Sequence, residues 1–178
     1  RDWFVFNESV PRGAHVPPPR WRGRLGGEPD VYLILPGADD MGMKWRESLL
    51  QIKGRIEHVG HERFDNGHAG KVERWHKWSY AGLPPGYRDL FAAADGDGRQ
   101  TVAVRKHRML RLLAFRSDGH VEETDPDLRI ERGINVELTD IEAQGGQYTT
   151  LGFEAFPDDA VITSQFVTVV SRFLDSLE

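Results

Sequence analysis

Met43-Lys44-Trp45-Arg46-Glu47-Ser48-Leu49-Leu50-Gln51-Ile52-Lys53-Gly54-Arg55-Ile56 is the stretch that decides the fold. Lys44 and Arg46 alternate with Met43 and Trp45, and Gln51, Lys53 and Arg55 then alternate with Leu50, Ile52 and Ile56. Successive side chains of a strand point to opposite faces, so each segment carries one charged and one apolar face. The same period returns far downstream, where Asn135, Glu137 and Thr139 alternate with Ile134, Val136 and Leu138. The early strands supply mostly basic residues, and the late ones supply Glu137 and Glu154. Strands that close with their charged faces inward would enclose a polyanion site of Lys and Arg, with carboxylates able to hold a cation. The same alternation also describes an ordinary half-exposed sheet whose charges face water.

Composition narrows the classes. A chain of 178 residues fits one domain, and 39% hydrophobic against 29% charged residues, with five Trp and nine Phe, describes a globular, soluble protein. A net charge of -5 argues against general attraction to duplex nucleic acid or an anionic membrane, yet leaves room for a basic cavity inside an acidic shell. The absence of cysteine excludes disulfides, thiolate metal sites and a Cys nucleophile, and a cytoplasmic location is expected. No apolar run approaches the ~20 residues of a membrane-spanning helix. The chain begins at Arg1 rather than Met, so a removed start is expected.

Turn and period signals order the remainder. Residues 3–6 read as a strand, and five prolines and four glycines within 10–29 exclude a regular helix there. Strands are expected over 31–35, 41–47 and 49–56, then a loop rich in Gly and His, then a strand over 71–80. A short helix is expected over 87–94, a turn at Asp95-Gly96-Asp97-Gly98, a long strand over 101–115, and strands over 133–142 and 147–156 about the turn Gly145-Gly146. Ile162, Phe166, Val169, Val170, Phe173, Leu174 and Leu177 recur at three- and four-residue steps, an amphipathic helix capped by Asp158 or Asp159. The expected architecture is α+β, mainly β: one domain over 1–178, an antiparallel tunnel-like β-barrel with this helix outside it. Outward apolar faces that a single helix leaves uncovered favour a homodimer.

The run Met43-Lys44-Trp45-Arg46-Glu47 followed by Leu50-Gln51-Ile52-Lys53 resembles the paired basic strands of the CYTH superfamily, the triphosphate tunnel metalloenzymes. Val104-Arg105-Lys106-His107-Arg108 resembles their later Lys-x-Arg strand, and Val136-Glu137-Leu138-Thr139 and Gly152-Phe153-Glu154 their late acidic strands. The resemblance implies an eight-stranded antiparallel tunnel in which Lys44, Arg46, Lys53, Arg55, Lys106 and Arg108 grip the phosphates of a small-molecule triphosphate or polyphosphate. Arg suits bidentate contact and Lys supplies a compact charge. It further implies that Glu137 and Glu154 orient Mg²⁺ or Mn²⁺ for phosphohydrolysis, hard cations preferring oxygen ligands. Lys77, in the dense stretch Glu73-Arg74-Trp75-His76-Lys77-Trp78, is added as a phosphate contact, with Trp75 either stacking on a base or packing. Family enzymes begin with Glu-x-Glu-x-Lys, whereas the first strand here reads Arg1-Asp2-Trp3-Phe4-Val5-Phe6, which favours a non-catalytic phosphate-sensing or interaction module as the alternative.

Other motifs read as structure. Asp95-Gly96-Asp97-Gly98 lacks the twelfth-position Glu of an EF-hand, since Lys106 stands there, and His58 and His61 lack the His-Glu-x-x-His order, so they read as surface residues. No nucleophile elbow, phosphate loop or dinucleotide fingerprint is present.

Overall fold

The computed structural model describes residues 21–25, 27–64, 67–91 and 101–175, with the backbone alone at 2–9, 24 and 25. The turn expected at Asp95-Gly96-Asp97-Gly98 and most of the proline-rich stretch lie outside the described residues. In chain order the elements are β1 (Asp2–Ser9), β2 (Arg22–Leu25), β3 (Asp30–Leu33), β4 (Met41–Arg46), β5 (Leu49–Arg63), β6 (Ala69–Tyr80), α1 (Gly86–Asp89), β7 (Thr101–Phe115), β8 (Val121–Thr124), β9 (Gly133–Ala143), β10 (Gly146–Phe156) and α2 (Ala160–Asp175). The chain is mainly antiparallel sheet with two helices, one of them C-terminal.

Hydrogen-bonded neighbours follow the order β2, β7, β3, β4, β5, β6, β1, β10, β9, with β8 beside β7 and a further pairing of β7 with β9. One edge of β7 is shared in turn by β3 at Thr101 to Val104, β2 at His107 to Leu110 and β8 at Leu112 to Phe115, while β9 runs along the other from Val104 to Ala114. Two tight turns set the register of the neighbouring hairpins. Arg46 pairs with Leu49 across Glu47 and Ser48, whose φ values are 48° and 64°, and Ala143 pairs with Gly146 across Gln144 and Gly145, at 51° and 75°. Two successive left-handed residues give the turn whose twist matches that of the flanking strands.

Sequence and structure part at three places. The Gly- and His-rich stretch expected as a loop is strand: β5 continues to Arg63 paired with β6, accommodating its irregular pattern by register shifts between Arg55 and Glu57 and between His58 and Gly60. Strands β2 and β8 give no alternation signal, one being Arg-Gly-Arg-Leu and the other Val-Glu-Glu-Thr. The expected helix over 87–94 is a single turn, α1, within the described residues.

The hydrophobic core lies on the apolar face of β7, β9 and β10, opposite their charged face. Ile134, Val136 and Leu138 of β9 and Leu151, Phe153 and Ala155 of β10 meet Ile162, Phe166, Val170, Phe173 and Leu174 of α2. Phe153, Phe166, Ile134 and Ile162 are fully buried, each contributing roughly 1.5–3 kcal/mol by leaving water. One charge is built into this layer: Arg111 donates to both oxygens of Glu123 on β8 at 2.8 and 2.7 Å while its guanidinium lies 4.7 Å from the Phe173 ring and 5.4 Å from that of Trp21. The bidentate pair satisfies the guanidinium and the aromatic faces accept its apolar plane. Across the sheet, Ile56, Trp78 and Tyr80 remain exposed.

Of the two cap candidates, Asp159 is the one used. Its Oδ1 accepts the Ile162 amide at 2.8 Å, three residues into the helix, and its Oδ2 receives Arg132 at 2.7 Å, whereas Asp158 pairs with Arg74. The Ile162 hydrogen bond, helped by Arg132, holds the Asp159 carboxyl below the usual 3.8. Asp159→Ala should therefore cost about 1 kcal/mol in urea unfolding near neutral pH. A depressed folded pKa means the contribution is complete above 3.8 and fades as pH falls through the lower folded value, so the mutant and the parent should converge in acid. A difference that persists unchanged in strong acid would contradict this cap.

Candidate functional site

The charged faces of the strands line a cavity of about 270 Å³. Period two explains how they arrive there. Lys44 and Arg46 project from β4 with Gly42 between strand neighbours, Lys53 and Gln51 from β5, Lys77 from β6, and Lys106 and Arg108 from β7. Glu137 of β9 and Glu154 of β10 complete the wall together with Tyr32 of β3. In the ladder Lys53 stands directly opposite Lys77. Gly42 and Gly152, opposite Lys53 and Glu137, carry no side chain into the space beside them.

Arg55 is the one residue of the expected set that the structure does not bring to this wall. Its guanidinium donates to Glu73 at 2.8 Å and to Asp39 at 3.3 Å and lies 5.9 Å from the Trp75 ring. Arg55 faces Trp75 in the register, and Glu73, two residues from Trp75, captures it just before β5 shifts register. Trp75 also gives its indole N–H to Glu73 at 3.1 Å, so that ring packs in a local cluster. His58 and His61 lie on exposed β5 with rings 5.4 Å apart.

Asp30 and Tyr32, both from β3, are the residues sequence reasoning passed over. Asp30 is only 5% exposed, and its carboxylate receives Lys44 at 2.8 Å, with the Arg46 Nε at 3.5 Å and the Arg108 Nη2 at 3.6 Å. Tyr32 accepts from Lys106 at 2.8 Å and from Lys44 at 3.5 Å. The strand expected over 31–35 begins one residue late, which leaves Asp30 outside it beside Pro29, whereas β3 starts at Asp30 itself.

The remaining charges divide unevenly. Lys53 meets Glu154 at 3.3 Å, and Arg108 meets Glu137 at 3.3 Å, with the Thr139 hydroxyl donating to Glu137 at 2.7 Å. Among the described residues, no carboxylate lies within ion-pair reach of Lys106 or Lys77, and Lys77 has no hydrogen bond. Burial lowers the Lys44, Lys77 and Lys106 ammonium groups from 10.5; Lys53 beside Lys77 and Arg108 beside Lys106 push in the same direction. Among the described residues six cations face three carboxylates, an excess of positive charge in a chain whose net charge is -5.

The described carboxylates of this wall do not by themselves fit a resident Mg²⁺ or Mn²⁺. Glu137 and Glu154 each neutralise a cation, Asp30 is shared by three, and no group of three His, Asp or Glu side chains able to hold a metal occurs among the described residues. No described helix is long and apolar enough to cross a membrane. Comparison with family models, with curated proteins and with solved structures finds no match to this chain.

The lowered lysines fix a sign for alkaline stability. The unfolded chain holds their protons up to 10.5 while the folded chain releases them earlier, so their contribution to stability rises with pH across that interval. Lys106→Met should flatten this rise in denaturant unfolding, and NMR of ¹³C-methylated lysines should show Lys44, Lys77 and Lys106 titrating below 10.5. Titration of all three at 10.5 or above would overturn the burial argument.

Proposed function

We propose that the cavity binds a compact polyphosphate anion: inorganic triphosphate, or the triphosphate moiety of a larger molecule. The observation that carries the reading is the convergence of six Lys and Arg side chains from four strands on one cavity, with two ammonium groups left without a carboxylate among the described residues. Solvating a surface needs no such convergence, whereas a polyanion needs many cations within a few ångströms.

Size supports the same class. At about 270 Å³ the cavity falls below the ~300–1,000 Å³ of pockets that enclose a drug-sized ligand, so it suits a phosphate chain better than a whole nucleotide. A tunnel-like closure of the sheet is part of the reading: β7 pairs with β3 on one edge and β9 on the other, and β1 pairs with both β6 and β10. The likeness of the basic and acidic strands to the CYTH superfamily points the same way. Because the described carboxylates do not by themselves fit a resident metal, the proposal is binding, and no hydrolytic step is assigned.

Calorimetric titration with tripolyphosphate, with and without Mg²⁺, tests it, together with phosphate release from the same samples. Saturable binding in both conditions is expected, and Lys77→Met should weaken it at least ~10-fold, about 1.4 kcal/mol. Release of phosphate with Mg²⁺ would extend the reading to a phosphohydrolase. No saturable binding in either condition would return the cavity to a structural feature of a charged sheet.

A further inference from the structure

The cations of the cavity are not equivalent, and the difference is already present in their partners. Lys44, Arg46 and Arg108 surround the carboxylate of Asp30, on a strand held by β4 on one side and β7 on the other. Such an arrangement, one buried oxyanion among an ammonium and two guanidinium groups, is what a bound phosphate group would itself receive. Lys77 and Lys106, by contrast, have no carboxylate among the described residues, and Lys53 has only the half-exposed Glu154.

We propose that Asp30 is the specificity-determining residue of the cavity: a built-in anion that occupies one phosphate-sized position and leaves Lys77 and Lys106 as the principal contacts for an incoming ligand. This rests on the reading of the cavity as a polyphosphate site and deepens it to a substrate class, short polyphosphates. A longer chain has to compete with Asp30 for Lys44, Arg46 and Arg108. That competition is unfavourable in a partly desolvated space, where a phosphate oxygen and a carboxylate repel one another instead of being screened. Asp30 therefore limits how many phosphate groups the cavity accepts, in the manner of a repulsive element set against the wrong ligand.

Titration of the full chain with pyrophosphate, tripolyphosphate and tetrapolyphosphate, without metal, tests the assignment. Asp30→Asn keeps the shape of the side chain and removes its charge. It should tighten tripolyphosphate binding at least ~10-fold and tetrapolyphosphate binding by more, while pyrophosphate gains least. A second pair of variants does not depend on that substitution folding. Lys44→Met and Lys77→Met each remove one positive charge from the same cavity, so a difference between them reports local contact instead of net charge. Lys77→Met should cost at least ~5-fold more tripolyphosphate affinity than Lys44→Met.

Equal losses from the two lysine variants overturn the proposal while leaving the polyphosphate site standing. So does an Asp30→Asn protein that binds all three anions no tighter than the parent. A parent protein that binds none of them overturns both readings together. If Asp30→Asn is too unstable to titrate at ambient temperature, the rise in its Tm on adding tripolyphosphate must exceed that of the parent, and an equal or smaller rise counts against the proposal.

Discussion

Six positive side chains cannot share one partly enclosed space without counter-charge, and much of this molecule follows from how that repulsion is met. Two like charges 4 Å apart repel by about 4 kcal/mol at an effective dielectric constant of about 20. The structure spreads the cations over four strands and sets Asp30, Glu137 and Glu154 among them. Asp30 carries the heaviest share because it is nearly inaccessible and touches three cations. The compensation is incomplete. Burial first, and neighbouring cations after it, lower Lys44, Lys77 and Lys106 from the ordinary lysine value.

The same period that loads one face with charge loads the other with apolar side chains, so the sheet needs its hydrophobic core on the outside. Helix α2 meets that need over β9 and β10, where Phe166 and Phe173 reach the row formed by Val136, Phe153 and Leu151. Trp78 lies over Gly54 of the neighbouring strand, within 3.2 Å of where a Cβ would stand, and stays partly exposed. Trp45 meets the buried Phe91 just beyond α1 at a ring distance of 6.1 Å. Stability and the cavity thus reside on opposite faces of the same strands.

Much of this arrangement was legible in the sequence because charge alternation is a direct projection of strand geometry. Lys44, Arg46, Lys53, Lys106, Arg108, Glu137 and Glu154 stand out by parity and by resemblance, Lys77 by its charged and aromatic stretch, and all line one cavity. Arg55 has the same parity as Lys53, yet parity says nothing of how far along the strand a side chain lies or which carboxylate takes it, and Glu73 takes it. Asp30 was missed for another reason: the strand expected over 31–35 begins one residue after it, and part of its importance comes from β7, which sequence does not place beside it. The helix was legible down to its apolar positions, but the choice between Asp158 and Asp159 depends on one residue of phase, decided by the Ile162 amide.

Placing the core outside has a consequence for how the cavity tolerates change. Its charged side chains are not what holds α2 to the sheet, so their substitution alters the field inside without opening the apolar layer. Asp30 stands apart from the other acids in this respect. Removing it would leave three cations facing one another, raising the free energy of the empty cavity and, through the same electrostatics, favouring any anion that replaced it. Stability of the empty protein and affinity for a polyanion are therefore opposed at this one position, whereas at Lys77, which no carboxylate holds among the described residues, removing a buried charge relieves desolvation and repulsion together. Among the described residues Lys77 has no carboxylate partner while Asp30 engages three neighbouring cations, so the electrostatics of the empty cavity turn on these two positions.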